Sequence, residues 1–171
     1  MTELEKLLSG GDLRSIGNSN SIVAKIKNQN DFDELFMLLF HTDRLIAMRA
    51  ADAIEKITIH NPHYLAHHKE EVFRLCNTSS NKELKWHLAQ ILPRLPNDDN
   101  EIASVWSILS TWATNRENSN IVRVNALQGL FDILKFAPKF DNDFRSILIE
   151  LKKENIPSIN ARIRIISKQK V

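Results

Sequence analysis

Histidine is the residue type in this chain that comes nearest to a metal-binding pattern. His63 and His67 are four residues apart, and on a helix this spacing places both rings on one side, where they could chelate Zn²⁺. No glutamate follows His63 in the metalloprotease pattern, and no cysteine or carboxylate stands at a fixed spacing as a third ligand. We therefore expect no metal and interpret the histidines as solvated residues at the start of a helix. The histidines considered are His41, His60, His63, His67, His68 and His87.

Other residues with chemical potential lack the partners that catalysis needs. Cys76 is the single cysteine and lies in an apolar run, which indicates a packed thiol. Gly10 and Gly11 are not followed by the Lys-Ser or Lys-Thr of a phosphate-binding loop. No motif marks a combination of serine, histidine and acid. We expect no catalytic residues, no cofactor and no enzymatic activity.

The composition predicts one all-helical domain. The chain has 171 residues, of which 43% are hydrophobic and 26% charged, enough to bury a core. Four glycines and five prolines are too few for the turns of a many-stranded sandwich or barrel. The charged N-terminal residues and the lack of an apolar run of about 18 residues predict neither a signal peptide nor a membrane span. We expect a soluble, cytoplasmic protein whose net charge of +2 does not identify a partner.

An internal repeat is the strongest feature of the sequence. Three apolar quartets share an internal spacing of three, one and three residues, and they begin at positions 50, 88 and 126, which are 38 residues apart. This spacing returns to one side of a helix, so each quartet predicts an amphipathic helix. The quartets are Ala50, Ala53, Ile54 and Ile57; Leu88, Ile91, Leu92 and Leu95; and Ala126, Gly129, Leu130 and Ile133.

A second apolar run precedes each quartet, so the repeating unit is a helical hairpin. Helix-starting and helix-ending residues separate the runs, including Asn61-Pro62, Ser80 to Glu83, Pro96 to Asp99, Pro138 to Asp141 and Pro157. We predict an N-terminal helical cap over residues 1–30, interrupted at 9–11 and 17–21. Four units follow within one structural domain, at about 31–60, 61–96, 97–136 and 137–171.

The third quartet carries a family resemblance. From Val122 the sequence follows Val-Arg-x-x-Ala-x-x-Gly-Leu-x-x-Ile, which resembles the second helix of a HEAT repeat; armadillo-like is an equally fair label. In the segment of the first quartet, Arg49 stands two positions later relative to its quartet than Arg123 does. In the segment of the second quartet, Lys85 takes the place of the arginine. The resemblance implies an all-α, right-handed α-α superhelix (solenoid) of about four HEAT-like hairpins, with second helices on the concave side. It also implies that Lys85 and Arg123 bridge neighbouring units.

The second helices predict a surface for a protein partner. Residues two positions before each quartet point away from its apolar stripe, and in three units they are apolar. Apolar side chains with polar flanks are typical of a peptide groove, although inner helices also contact neighbouring repeats, so the same column is equally consistent with core. We predict a non-enzymatic scaffold that binds a protein segment through Met48, Trp86, Val124, Gln90, Gln128, Lys56 and Arg94.

Nucleic acid is the alternative partner. Segments that contain the second helices sum to +7 in charge and those that contain the first helices to −6, and a basic concave face would attract phosphates. The same pattern also follows from acidic residues in first turns, where the helix dipole favours them. Similarity to DNA alkylation repair glycosylases is a remote extension, because it would need Trp86, Trp106 and Trp112 with Asp52 or Asp132 in the groove. Trp106 and Trp112 belong to a predicted first helix, so we expect them on the convex side or in the core. The alternative uses Lys85, Arg94, Arg123, Arg162 and Arg164.

Overall fold

Ten α-helices make up most of the chain that the structure, a computed structural model, describes: residues 2–10, 19–96 and 98–169. Short 3₁₀ segments at Leu38–Phe40, Pro62–His68, Leu92–Arg94 and Pro138–Phe140 connect or extend some of them, and the described residues contain no strand. The prediction of an all-α fold is therefore confirmed. The helices are α1 Glu3–Leu8, α2 Ser19–Lys25, α3 Gln29–Met37, α4 Arg44–His60, α5 Lys69–Thr78, α6 Lys82–Ile91, α7 Asp99–Thr114, α8 Asn120–Leu134, α9 Asp141–Lys153 and α10 Pro157–Ile166.

The chain divides into two compact units, Met1–Glu71 and Val72–Val171. In the first unit, α4 is the central helix and contacts α1, α2 and α3. Helix α1 starts with a capping box, because the Thr2 hydroxyl accepts from the Glu5 N–H while the Glu5 carboxylate accepts from the Thr2 N–H. Two short N-terminal helices are present, and α1 ends before the interruption predicted at 9–11, but residues 19–21 of the interruption predicted at 17–21 belong to α2, so that part of the prediction was wrong. Gly11 and Gly17 lie outside the described residues, and the capping role of these helices stays a prediction.

In the second unit, α6, α8 and α10 lie side by side, with α8 in contact with both of the others. Helix α7 packs against α8, and α9 contacts both α7 and α10, so α7–α8 and α9–α10 are consecutive hairpins. Asp98 caps α7 by accepting from the N–H groups of Asn100 and Glu101, and Pro157 opens α10 at its first position. Asn97 of the predicted stop lies outside the described residues.

The apolar quartets form the core side of their helices. All of their residues are buried, in α4, in α6 with its 3₁₀ extension and the residue that follows it, and in α8. Gly129 allows α8 to approach α6 closely, since a Cβ at this position would lie 2.8 Å from the Ala89 carbonyl oxygen. Pro93, four residues after Ala89, lacks the N–H that would close the α-helical bond to that carbonyl. The quartet pattern thus identifies the packing surface of each second helix.

Two further local predictions were wrong. Pro62–His68 is a 3₁₀ segment and not the start of an α-helix. Because a 3₁₀ helix has three residues per turn, residues three apart share a face, and His63 and His67, which are four apart, do not. The stretch Ser80 to Glu83 has the form of a capping box with Ser80 as the cap, but helix α6 is capped by Asn81, whose side chain accepts from the Glu83 N–H. The repeat boundaries expected from the sequence otherwise remain predictions.

Candidate functional site

The exposed sides of α6 and α8 carry a group of residues that we call the Trp86 surface: Trp86, Gln90, Ile121, Val124 and Gln128. Trp86 and Val124 are half-buried, and Ile121, one helical turn before Val124, is 43% exposed. The Trp86 ring lies 5.3 Å from that of His87, between centroids. Because these residues stand opposite the buried quartets, neighbouring helices of the second unit leave their apolar atoms partly accessible.

Polar residues at one side of the Trp86 surface bind one another. Arg162 of α10 donates to the Gln128 side-chain oxygen at 2.8 Å, and the Gln128 amide nitrogen donates to Asp132 at 3.1 Å. Asp132 also accepts from Lys135 at 2.6 Å. This chain of hydrogen bonds connects α8 to α10. It also engages the Arg162 guanidinium in a contact inside the protein.

The first unit does not contribute to the apolar surface predicted from Met48, Trp86 and Val124. Met48, predicted beside Trp86 and Val124, is only 5% exposed. Residues 46–51 of α4 are all buried, so this stretch has no outward face. Lys56 is half-buried and bonds to Asp52 at 2.7 Å and to Asn20 at 2.9 Å. A partner surface that includes Met48 is therefore not present on α4.

Arg123 is a buried connector and not a surface cation. The side chain is 2% exposed, its Nε donates to the Ala113 carbonyl at 2.9 Å, and its two terminal nitrogens donate to Glu154 at 3.0 and 2.8 Å. The hydrogen bond from Arg123 lowers the pKa of Glu154 more than burial raises it, and the charges of Arg123 and Arg116 lower it further. These contacts join the end of α7 to the turn after α9, the bridging role implied by the family resemblance.

Arg49 has a comparable role in the first unit, which the sequence pattern did not indicate. It is 1% exposed and donates to the carbonyls of Leu8 and Gly10, each at 2.6 Å, and of Ser9 at 3.3 Å. A cation at these carbonyls satisfies acceptors at the C-terminal end of α1 and complements its dipole. The clue in the sequence was an arginine directly before the first quartet alanine.

The remaining cations of the nucleic-acid alternative do not form one free surface. The Lys85 ammonium lies 5.4 Å from the centroid of the Trp112 ring and 3.5 Å from the Asn118 side-chain oxygen. Arg94 is half-buried and has an interaction partner, whereas Arg164 is exposed. With Arg123 and Arg162 also bound, the predicted basic residues are mostly engaged inside the chain.

The first-helix tryptophans are structural. Trp106 and Trp112 of α7 are both buried, and the Trp106 indole donates to Asp143 at 2.5 Å. Trp106 also stacks on Phe140 with ring centroids 4.5 Å apart. Neither ring is placed to receive a base in a groove. A glycosylase-like arrangement of Trp106 or Trp112 is thus inconsistent with their positions.

Among the histidines between positions 41 and 68, His68 is part of the first unit's interior. His68 stacks on Phe36 with ring centroids 3.9 Å apart, and its Nε2 lies 2.6 Å from an Asp33 oxygen. Burial raises the pKa of Asp33, but hydrogen bonds from Gln29 and His68 and the nearby His67 outweigh it, so the pKa lies below its usual range. His63 and His67 are exposed. His68 therefore fastens the 3₁₀ segment to α3.

Comparison with known proteins bears on the whole chain. A family model described as a HEAT repeat domain matches residues 3–170. Neither the curated proteins nor the solved structures include a significant match. No helix that could cross a bilayer is found in residues 2–10, 19–96 and 98–169. Because the family model matches nearly the entire sequence, the chain belongs to the HEAT repeat family.

Proposed function

We propose that this protein is a non-enzymatic binding module that holds a segment of a partner protein on the Trp86 surface. HEAT repeats are helical scaffolds that commonly mediate protein interactions. The observation that carries the proposal is that Trp86 on α6 and Val124 on the contacting helix α8 are only half-buried, and that Ile121 of α8 is exposed. Tryptophan provides a large rigid contact area and is enriched among residues that dominate binding energies.

The surroundings of Trp86 support an apolar anchor with polar edges. Gln90 and Arg94 follow it on the same side of α6 and its 3₁₀ extension, and both are half-buried. Gln128 and Asp132 follow Val124 by one and two turns of α8 and are bonded to each other. An interface of this kind loses water at its centre and keeps hydrogen bonds at its rim. Met48, being buried, is left out of the proposed surface.

A protein partner is favoured over nucleic acid by the state of the cations. Phosphate binding requires several accessible positive charges, because each neutralised phosphate releases counterions. Arg123 is enclosed with Glu154, Arg162 bonds to Gln128, and Lys85 lies over Trp112. Engaging these charges inside the fold weakens the attraction of this surface for a polyanion.

The cytoplasmic location and the single-domain organisation expected from the sequence remain predictions.

Selection from a random peptide library tests the proposal directly. Peptides retained by the wild-type protein are measured by fluorescence anisotropy against Trp86→Ala and Ile121→Asp. We expect each substitution to weaken binding at least tenfold, since removing a central anchor typically costs about 2 kcal/mol or more. The Ile121→Asp variant keeps the test valid even if Trp86→Ala fails to fold, because the Ile121 side chain is exposed and not part of the core.

Phe136→Ala is the matched control. Phe136 is 51% exposed and lies in the turn after α8, outside the Trp86 surface. It should leave peptide binding unchanged. The proposal fails if selected peptides bind all three variants as they bind the wild type, or if selection yields none while oligonucleotides bind at near-physiological salt.

A further inference from the structure

A cleft of about 480 Å³ runs along α10 beside the end of α9. Ile163, which is almost fully buried, contributes an apolar wall. Three exposed cations surround it, one from α9, one from α10 and one from the residues that follow α10. The cleft is lined by Lys152, Asn160, Ile163, Arg164, Ser167 and Lys168.

The charge of this cleft is not balanced by acidic neighbours within it. None of its described lining residues is acidic, and Lys152, Arg164 and Lys168 have no ion-pair partner among the residues that the structure describes. Lys153, next to Lys152, borders a different depression that also contains Glu150 and Glu154. Three positive charges without acidic neighbours, arranged around an apolar wall, attract an organic anion such as a carboxylate whose carbon atoms can contact that wall.

We propose that this cleft binds an acidic segment of a partner protein in extended conformation. Arg164 lies in α10 and Lys168 in the turn that follows it, where the Lys168 N–H donates to the Ile165 carbonyl three residues back, so the two residues stand about 7 Å apart along the direction of α10. Alternate residues of an extended chain project to one side about 6.6 Å apart. Glutamates at alternate positions therefore match the spacing of the cations, and their methylene groups pack against Ile163.

The Lys152 ammonium extends the match to a third carboxylate. The Asn160 amide nitrogen donates to Asn155 and the Ser167 hydroxyl donates to the Ile163 carbonyl, so the side-chain oxygens of Asn160 and Ser167 are the groups that can accept from backbone N–H groups of an extended segment. From position 160 to position 168, α10 and the turn that follows it span about 13 Å, the length of about four extended residues. A hexapeptide with three glutamates is thus long enough to meet all three cations.

The same cleft is poorly suited to nucleic acid. Single strands bind where aromatic rings stack on their bases, and the described lining contains no aromatic residue. Three cations are also few for a duplex, whose affinity grows with each phosphate contacted. This site is separate from the Trp86 surface, and the inference does not depend on the proposed function.

The test uses the full-length protein and a fluorescein-labelled peptide, Glu-Ala-Glu-Ala-Glu-Ala, titrated at low salt. We expect binding that Lys152→Glu weakens about five- to tenfold, since the change removes one attraction and adds one repulsion of similar size. Lys153→Glu makes the same charge change one residue away and should alter the affinity less than about twofold. Both lysines are exposed, so circular dichroism should report unchanged folding.

Further titrations distinguish binding in this cleft from binding elsewhere on the protein. Trp86→Ala should leave affinity for the acidic peptide unchanged, so failure of the Trp86 surface would not imply failure of the cleft. A peptide with Lys in place of Glu should not bind. The inference is overturned by three results: no binding of the acidic peptide at about 1 mM, equal losses in the Lys152 and Lys153 variants, or tighter binding of a single-stranded oligonucleotide that Lys152→Glu abolishes.

Discussion

Replacing Gly129 by alanine should destabilise the second unit even though alanine is the better helix former. The new Cβ would lie 2.8 Å from the Ala89 carbonyl oxygen, 3.0 Å from Leu109 Cδ1 and 3.3 Å from Pro93 Cγ. The nearest of these atoms belongs to the backbone of α6, so it cannot move away by a change of rotamer. Relief requires α8 and α6 to separate, which disturbs the buried quartets on both helices.

The size of the effect follows from two opposing contributions. Alanine gains about 1 kcal/mol over glycine in a helix interior. Overpacking a well-packed core costs about 1 to 3 kcal/mol, and a backbone contact justifies the upper end. Gly129→Ala should therefore lower the free energy of unfolding by about 2 kcal/mol. For a chain of this size that corresponds to a fall in Tm of roughly 4 to 8 °C.

Urea unfolding followed by circular dichroism at 222 nm, a wavelength sensitive to helix, measures the change, and a thermal melt gives Tm. Asn125→Ala is the matched control, one helical turn earlier on α8 and half-buried, and it should stay within about 0.5 kcal/mol of the wild type. A Gly129→Ala protein as stable as the wild type, or more stable, would refute the close approach of α8 to α6.

Three further predictions concern titratable residues. Glu154→Gln should cost about 3 kcal/mol by leaving Arg123 buried without its counter-charge. Because the folded pKa of Glu154 is lowered, its stabilisation is present at neutral pH and lost as the pH falls below about 4, so urea midpoints of the variant should decline less in acid; an equal decline would contradict this. Burial raises the pKa of the Cys76 thiol to about 12, so Ellman's reagent should label it at pH 8 only after unfolding, and rapid labelling of folded protein would exclude that burial. His68→Phe keeps a ring against Phe36 but removes the bond to Asp33, so we expect a loss of about 1 to 2 kcal/mol in urea unfolding and a higher Asp33 pKa by NMR; unchanged values would show the contact to be absent.

Much of the helical architecture could be predicted because it depends on local spacing. The recurrence of quartets at 50, 88 and 126 identified the buried sides of α4, α6 and α8, since residues three and four apart share a helix face whatever surrounds the helix. Prolines and cap residues placed several helix ends for the same reason. The 3₁₀ geometry of Pro62–His68 was missed, because histidine spacing does not distinguish it from an α-helix.

The candidate sites depended on packing that spacing does not specify. Met48, Trp86 and Val124 occupy equivalent places in the pattern, yet Met48 is buried and the other two are half-buried. Arg123 and Arg164 are both basic residues of second helices, but one is enclosed with Glu154 and the other borders an open cleft. Hydrophobicity and charge do not reveal such differences.

The sequence by itself determined the helical repeat, the core side of its second helices and the family, because each follows from residues within one or two helical turns and from their recurrence. Only the tertiary structure decided which side chains remain accessible. Exposure of Trp86 and of the cations around Ile163 depends on helices that approach from distant parts of the sequence. Burial and neutralisation of charge are properties of those contacts, and they determine which residues are available to a partner.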